Sequence, residues 1–188
     1  MAQWILSLPL WQILRFLGIA AYILIAIGIC TGIMSSIPGL HPVIKKTLIK
    51  LHMSSTNYGM LLGLFHGVIT IIDPYMPFSW GEILIPFTAQ NSPILNGLGT
   101  LSAYGMVLLV LTSDFRPKIS KKTWHAFHLL SYPTFFMTFI HGYVLGTDTE
   151  IPEIRMIYLA SMAAVLLLSL IRFTIGSSEK TYTTQGAK

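Results

Sequence analysis

The chain has 188 residues, of which 53% are apolar and only 10% are charged, with a formal net charge of +5. So few charges leave too little polar surface for an ordinary soluble domain of this length, and the composition points instead to one bilayer-embedded domain. The basic residues are gathered in short connections, so the positive balance reads as a marker of membrane topology and argues against a nucleic-acid groove.

Charges are absent from residues 16–44, 51–72, 123–147 and 156–171, and Glu82 is the only one between 74 and 113. Broken at proline and glycine, these stretches predict five transmembrane helices of about 17 to 25 residues each. The predicted spans are residues 12–34, 49–72, 94–113, 123–146 and 155–174. The last is short between Arg155 and Arg172, whose long side chains can snorkel to the interface. The expected fold class is therefore an all-α integral membrane protein, a bundle of about five helices over residues 1–176 followed by a short polar tail, 177–188.

The first span is read as a retained helix. No basic segment precedes it and no A-x-A-like cleavage site follows, as a signal peptide would require. Cys30 within it is the single cysteine, which leaves no intrachain disulfide or C-x-x-C redox pair and suits a small core residue.

The connection after the first span holds Lys45, Lys46 and Lys50, that after the third holds Arg116, Lys118, Lys121 and Lys122, and the tail holds Arg172, Lys180 and Lys188. These are ten of the twelve basic residues, all on one side of an alternating topology. The positive-inside rule puts that side in the cytoplasm and the N-terminus outside. Asp73, Glu82, Asp148, Glu150 and Glu153 fall on the opposite face. The inner basic cluster is read chiefly as this topological signature, and secondarily as a surface that attracts anionic groups or an acidic partner protein. His41, before Pro42, reads as a surface residue.

His52 and His66 lie in the second span. At about 100° and 1.5 Å per residue, fourteen residues leave them about 40° apart around the helix and about 21 Å apart along it. They share a face, and the rest of that stripe is small: Thr56, Gly59, Gly63 and Thr70. Such a stripe is either hollow, with room for a macrocycle between the imidazoles, or a close-packing surface of the G-x-x-x-G kind. Histidine within a bilayer is costly and usually functional, and imidazole is a common axial haem ligand.

The fourth span carries His128 and His141, about 20 Å apart along an ideal axis and so matched in depth to the first pair. Thirteen residues also turn the second about 140° away from the first. Pro133 lies between them and cannot donate to the carbonyl of Leu129, so a kink or rewinding there is expected to reconcile the two directions. His125, three residues before His128 and next to Trp124, is the poorer match in depth and is expected to face headgroups or a propionate. Phe135 shares a face with His128 and reads as packing, with an alternative place between two haems.

At these residues the chain resembles the ferric reductase-like transmembrane domain family, which includes the membrane cores of NADPH oxidases and ferric reductases. The stretch L-T-S-D-F-R-P-K-I-S-K-K-T-W-H-A-F-H-L-L-S-Y, residues 111–132, is similar to the family's run from a helix end through a basic loop to W-x-x-x-H-x-x-x-Y. D-P-Y-M-P-F-S-W-G-E-I-L-I-P-F from Asp73 and H-G-Y-V-L-G-T-D-T from His141 resemble small bacterial members. The likeness covers about residues 12–174. It implies two b-type haems, the inner between His52 and His128 and the outer between His66 and His141, in a multi-pass protein of a bacterial cytoplasmic membrane.

The resemblance further implies that Arg15 lies near the outer haem, where it would neutralise a propionate or stabilise a reduced oxyanion; the competing reading is an arginine snorkelling to headgroups. One turn after His66, where the oxidases carry another histidine, this chain has Thr70, which counts against superoxide production. The 188 residues hold no flavin- or nicotinamide-binding region, so the expected activity is that of an oxidoreductase component. It would draw on a separate cytoplasmic flavoprotein or membrane quinol. The external acceptor would be ferric iron, a flavin or quinone, oxygen, or a partner reductase. The alternative functional classes are a haem-free transporter or metal channel lined by the histidines, and a membrane anchor for partners.

Overall fold

The computed structural model describes residues 8–185 apart from Tyr75, with side chains described as far as Ile175. Tyr75, in the segment expected to be external, and the tail residue Lys188 thus lie outside the described residues. All regular structure among them is helical: α1 (Leu10–Ser35), α2 (Pro42–Ile69), α3 (Trp80–Leu84), α4 (Pro93–Asp114), α5 (Lys121–His128), α6 (Ser131–Leu145) and α7 (Pro152–Gln185), with 3₁₀ turns at Arg116–Lys118 and Thr147–Glu150. The chain is thus an all-α protein, and α7 runs through the boundary expected near residue 176.

The helix limits follow from local chemistry. Proline stands at the first position of α2 and α4, where its missing N–H would have had no intrahelical partner. Pro38 and Gly39 follow α1, and Gly39 takes φ +77°, a left-handed conformation open to glycine at little cost. In α3 the Ser79 side chain accepts from the Glu82 N–H while the Glu82 carboxylate accepts from the Ser79 N–H, closing a capping box. Ser120 caps α5 by accepting from the Thr123 N–H.

Among the described residues three helices are long and apolar enough to cross a membrane: Leu10–Ser35, Pro93–Asp114 and Pro152–Ile175. The other two long segments carry the four histidines, and each misses that standard for a physical reason. Helix α2 has three lysines in its first turns and a polar run, Ser54 to Asn57, beside His52. The fourth predicted span is split into α5 and α6, 8 and 15 residues long.

That split is the expected rewinding at Pro133. The carbonyl of Leu129, deprived of a donor at residue 133, accepts instead from the Tyr132 N–H at 3.3 Å, and Thr134 resumes helical pairing to Leu130 at 3.0 Å. Pro133 becomes the third residue of α6, within the turn whose N–H groups lack intrahelical acceptors.

Helix α1 is the axis of the bundle and packs against α2, α6 and α7, while α4 packs mainly on α6. The core is built from Tyr22, Ile25, Ala26, Ile29 and Ile33 of α1 with Met106, Leu109, Phe135, Tyr158 and Val165 of α4, α6 and α7. Tyr22 stacks on Tyr158 with ring centres 4.0 Å apart, and its hydroxyl is hydrogen-bonded to Ser161. Helix α2 rests on α1 and buries only Ser55 and Gly59, so its histidine-bearing face is held opposite α5 and α6 without packing into them.

Candidate functional site

The structure opposes the four histidines as two pairs. His52 of α2 faces His128 of α5 with ring centres 6.1 Å apart and planes at 75°. His66 of α2 faces His141 of α6 with centres 6.3 Å apart and planes at 84°. Among the described residues no group of three or more His, Cys, Asp or Glu side chains converges, so each candidate centre offers two protein donors.

Three of the imidazoles are oriented by backbone carbonyls. The Nδ1 of His52 lies 2.7 Å from the Gly28 carbonyl oxygen, that of His66 2.9 Å from Leu14, and that of His141 2.9 Å from Leu95. A carbonyl can only accept, so each Nδ1 donates its hydrogen and each Nε2 keeps the free lone pair. This tautomer is the one a histidine needs to bind a metal through Nε2, and the second bond is the usual outer-shell support of such a ligand. The Nδ1 of His128 is buried without a partner; its ring stacks on Trp124 at 4.7 Å and 19°, and the Arg116 guanidinium covers the indole at 4.5 Å.

The spacing fits one metal ion between each pair. With about 2.0 Å for a metal–imidazole bond and about 1.1 Å from ring nitrogen to ring centre, two trans imidazoles have centres about 6.2 Å apart. Two donors alone leave a transition metal under-coordinated, whereas a haem brings four in-plane nitrogens and asks the protein only for axial ligands. The residues present therefore fit that group.

A cavity of about 340 Å³ adjoins the outer pair, within the range of small-molecule sites. It is lined by His66, His141, Arg15, Asp148 and Thr70 and also reaches Ile25, Gly59 and Met106. The small-residue stripe of α2 proves to be divided. Thr56 and Gly59 serve close approach to α1, since a Cβ on Gly28 would strike Thr56 and a Cβ on Gly59 would strike Ile25. Gly63 opens into the cavity, where a Cβ would meet only Ala21 at 3.9 Å. Both sequence readings of the stripe hold in part: close packing at Thr56 and Gly59, open space at Gly63 and Thr70.

Arg15 lines the cavity, but its guanidinium is held by Asp148 through both Nε, at 2.8 Å from Oδ2, and Nη2. Neither sequence reading of Arg15 named this partner. The hydrogen bond from Arg15 and its charge hold the Asp148 carboxyl below the usual carboxylate range, against the opposing effect of burial. At α3, the Ser79 and Gln90 backbone N–H groups similarly lower the Glu82 carboxyl.

The remaining candidates separate. His125 is exposed beside Trp124, and His41 is an exposed cap that accepts from the Val43 N–H. Phe135 is 3% exposed, stacks on Tyr22 and belongs to the core. It packs and does not line the cavity beside His66 and His141.

Sequence reasoning missed Gly18, Gly32 and Gly99, whose absent Cβ atoms admit three of the imidazoles. A signal was there: Gly18 and Gly32 are fourteen residues apart in the first span, the same step that separates His52 from His66. No protein-family model matches the chain, and no curated protein or solved structure is significantly similar to it.

Proposed function

We propose that the protein is a di-haem transmembrane electron-transfer protein, with one b-type haem between His52 and His128 near the cytoplasmic face and one between His66 and His141 near the external face. The observation that carries this reading is the two opposed pairs of imidazoles, with ring centres 6.1 and 6.3 Å apart, a separation that would admit one metal ion between each pair. Carbonyl bonds that free Nε2 on three of the four histidines support it independently.

In this reading the chain crosses the bilayer five times, with α5 and α6 together forming one broken span. Its N-terminus is outside and its basic connections lie in the cytoplasm, in keeping with the positive-inside rule. The haems, when bound, supply one-electron chemistry at iron. Backbone carbonyls hold three of the four imidazoles in one tautomer, and Arg15 is tied to Asp148 at the external mouth. A cytoplasmic flavoprotein or membrane quinol donates, and ferric iron, a flavin or quinone, oxygen or a partner reductase outside accepts.

The test is a reduced-minus-oxidised visible spectrum of the purified protein with a pyridine haemochrome count per chain. Two b-type haems are expected. One would mean that a histidine pair is misassigned. None after haem-supplemented expression would overturn the reading and favour a haem-free transporter or metal channel.

A further inference from the structure

We infer that Gly18, Gly32 and Gly99 are positioning residues for three of the four imidazoles, and that stacking on Trp124 replaces this device at His128, leaving the inner centre the more labile of the two. The inference rests on the di-haem reading and adds to it a ranking of the centres.

The same arrangement occurs three times. His66 donates to the Leu14 carbonyl and lies against Gly18; His52 donates to Gly28 and lies against Gly32; His141 donates to Leu95 and lies against Gly99. In each case the glycine stands four residues after the accepting carbonyl. That carbonyl already receives the helical N–H of the glycine itself, so the imidazole must take its second lone pair. Every Cα–Cβ bond in a helix tilts toward the N-terminus, so a side chain at the fourth residue would cover that lone pair. A Cβ there would lie 3.0 Å from the His66 ring, 2.9 Å from the His52 ring and 2.7 Å from the His141 ring. Real Cβ atoms do not tolerate the two shorter distances, and the longest is crowded. Glycine is thus what lets the imidazole reach the backbone.

His128 has no such carbonyl. Its Nδ1 is buried and unpartnered, as is Trp124 Nε1, and the two rings lie face to face. Stacking fixes the tilt of an imidazole, but it neither accepts the Nδ1 hydrogen nor raises the basicity of Nε2 as a carbonyl does. The outer pair therefore has two anchored ligands, and the inner pair has one anchored ligand, His52, and one stacked ligand.

The first experiment uses the unaltered chain in detergent, titrating the reduced protein with carbon monoxide while following the Soret and α bands of each centre. Carbon monoxide is expected to displace a histidine from the inner centre at lower concentration, with His52→Ala and His141→Ala marking which signal is which. Displacement from the outer centre first, or from both together, overturns the ranking.

The second compares Gly18→Ala, Gly99→Ala and Gly32→Ala with Gly105→Ala, whose added methyl would strike Thr134 and no imidazole. Loss of outer-shell support typically weakens metal retention about 10- to 100-fold. Gly18→Ala and Gly99→Ala are expected to lose the outer haem selectively and Gly32→Ala the inner, with near-normal helical circular dichroism. Gly105→Ala is expected to lower the melting temperature and weaken both centres alike. Trp124→Ala is expected to alter the inner low-spin signal alone. If the glycine variants lose both centres equally, or keep both unchanged, the inference falls while two haems in the unaltered chain would still stand. No haem in the unaltered chain would instead overturn the function proposed above.

Discussion

The imidazoles of His66 and His141 stand nearly perpendicular, with planes at 84°, and those of His52 and His128 are similarly crossed at 75°. In low-spin ferric iron each axial imidazole donates into the d orbital perpendicular to its own plane. Parallel rings split the two available orbitals, whereas crossed rings raise both alike. Near-degenerate orbitals leave a large orbital moment, so both centres are expected to give broad, strongly anisotropic electron paramagnetic resonance signals with one very large g value. Two ordinary rhombic signals would show that the rings turn parallel when the cofactor binds.

The pairing across helices makes ligand loss selective. His66→Ala or His141→Ala is expected to abolish the outer centre and leave most of the inner signal, and His52→Ala or His128→Ala to do the reverse. The readout is haem per chain combined with a redox titration of the α band. If all four variants lose the same component at the same potential, there are not two separate sites.

Depth was legible in the sequence because helical rise is nearly constant: a step of fourteen residues in α2 and of thirteen across α5 and α6 was enough to match His52 with His128 and His66 with His141. Rotation was less so. The misdirection of His128 relative to His141 resolves through a break at Leu129 and Leu130, which Pro133 announces without fixing its geometry. The role of Gly18, Gly32 and Gly99 was hidden because glycine in a membrane helix has several uses, and only the partner helix shows which applies. Asp148 was counted simply as an external charge; its bond to Arg15 joins residues 133 positions apart and has no local signature.

The Arg15–Asp148 pair predicts a specific acid sensitivity. Asp148 titrates lower in the fold than its unfolded value of about 3.9, because Arg15 favours the carboxylate. The sign follows: the pair's contribution is fully present above the unfolded pKa and is lost as pH falls through the lower, folded one. Arg15 is 36% exposed, so solvent screening limits the pair to at most about 1 kcal/mol. Asp148→Asn is expected to lower the melting temperature modestly at pH 7, with the difference from the unaltered chain shrinking below about pH 4. A difference that instead grows on acidification would show that the pair is not what Asp148 contributes.

Phe135 separates packing from electron relay. The side chain is 3% exposed and stacks on Tyr22 at 6.0 Å and 21°, inside the core shared by α1, α4, α6 and α7. Phe135→Leu keeps most of the volume and removes the ring, so it is expected to cost about 1 kcal/mol of stability, against about 3–5 kcal/mol for Phe135→Ala, which leaves a cavity. Neither substitution touches a histidine. Electron redistribution between the two centres after photolysis of carbon monoxide should therefore keep its rate in Phe135→Leu. A rate slower by an order of magnitude, with both haems retained and their potentials unchanged, would mean that the ring carries electrons as well as filling the core.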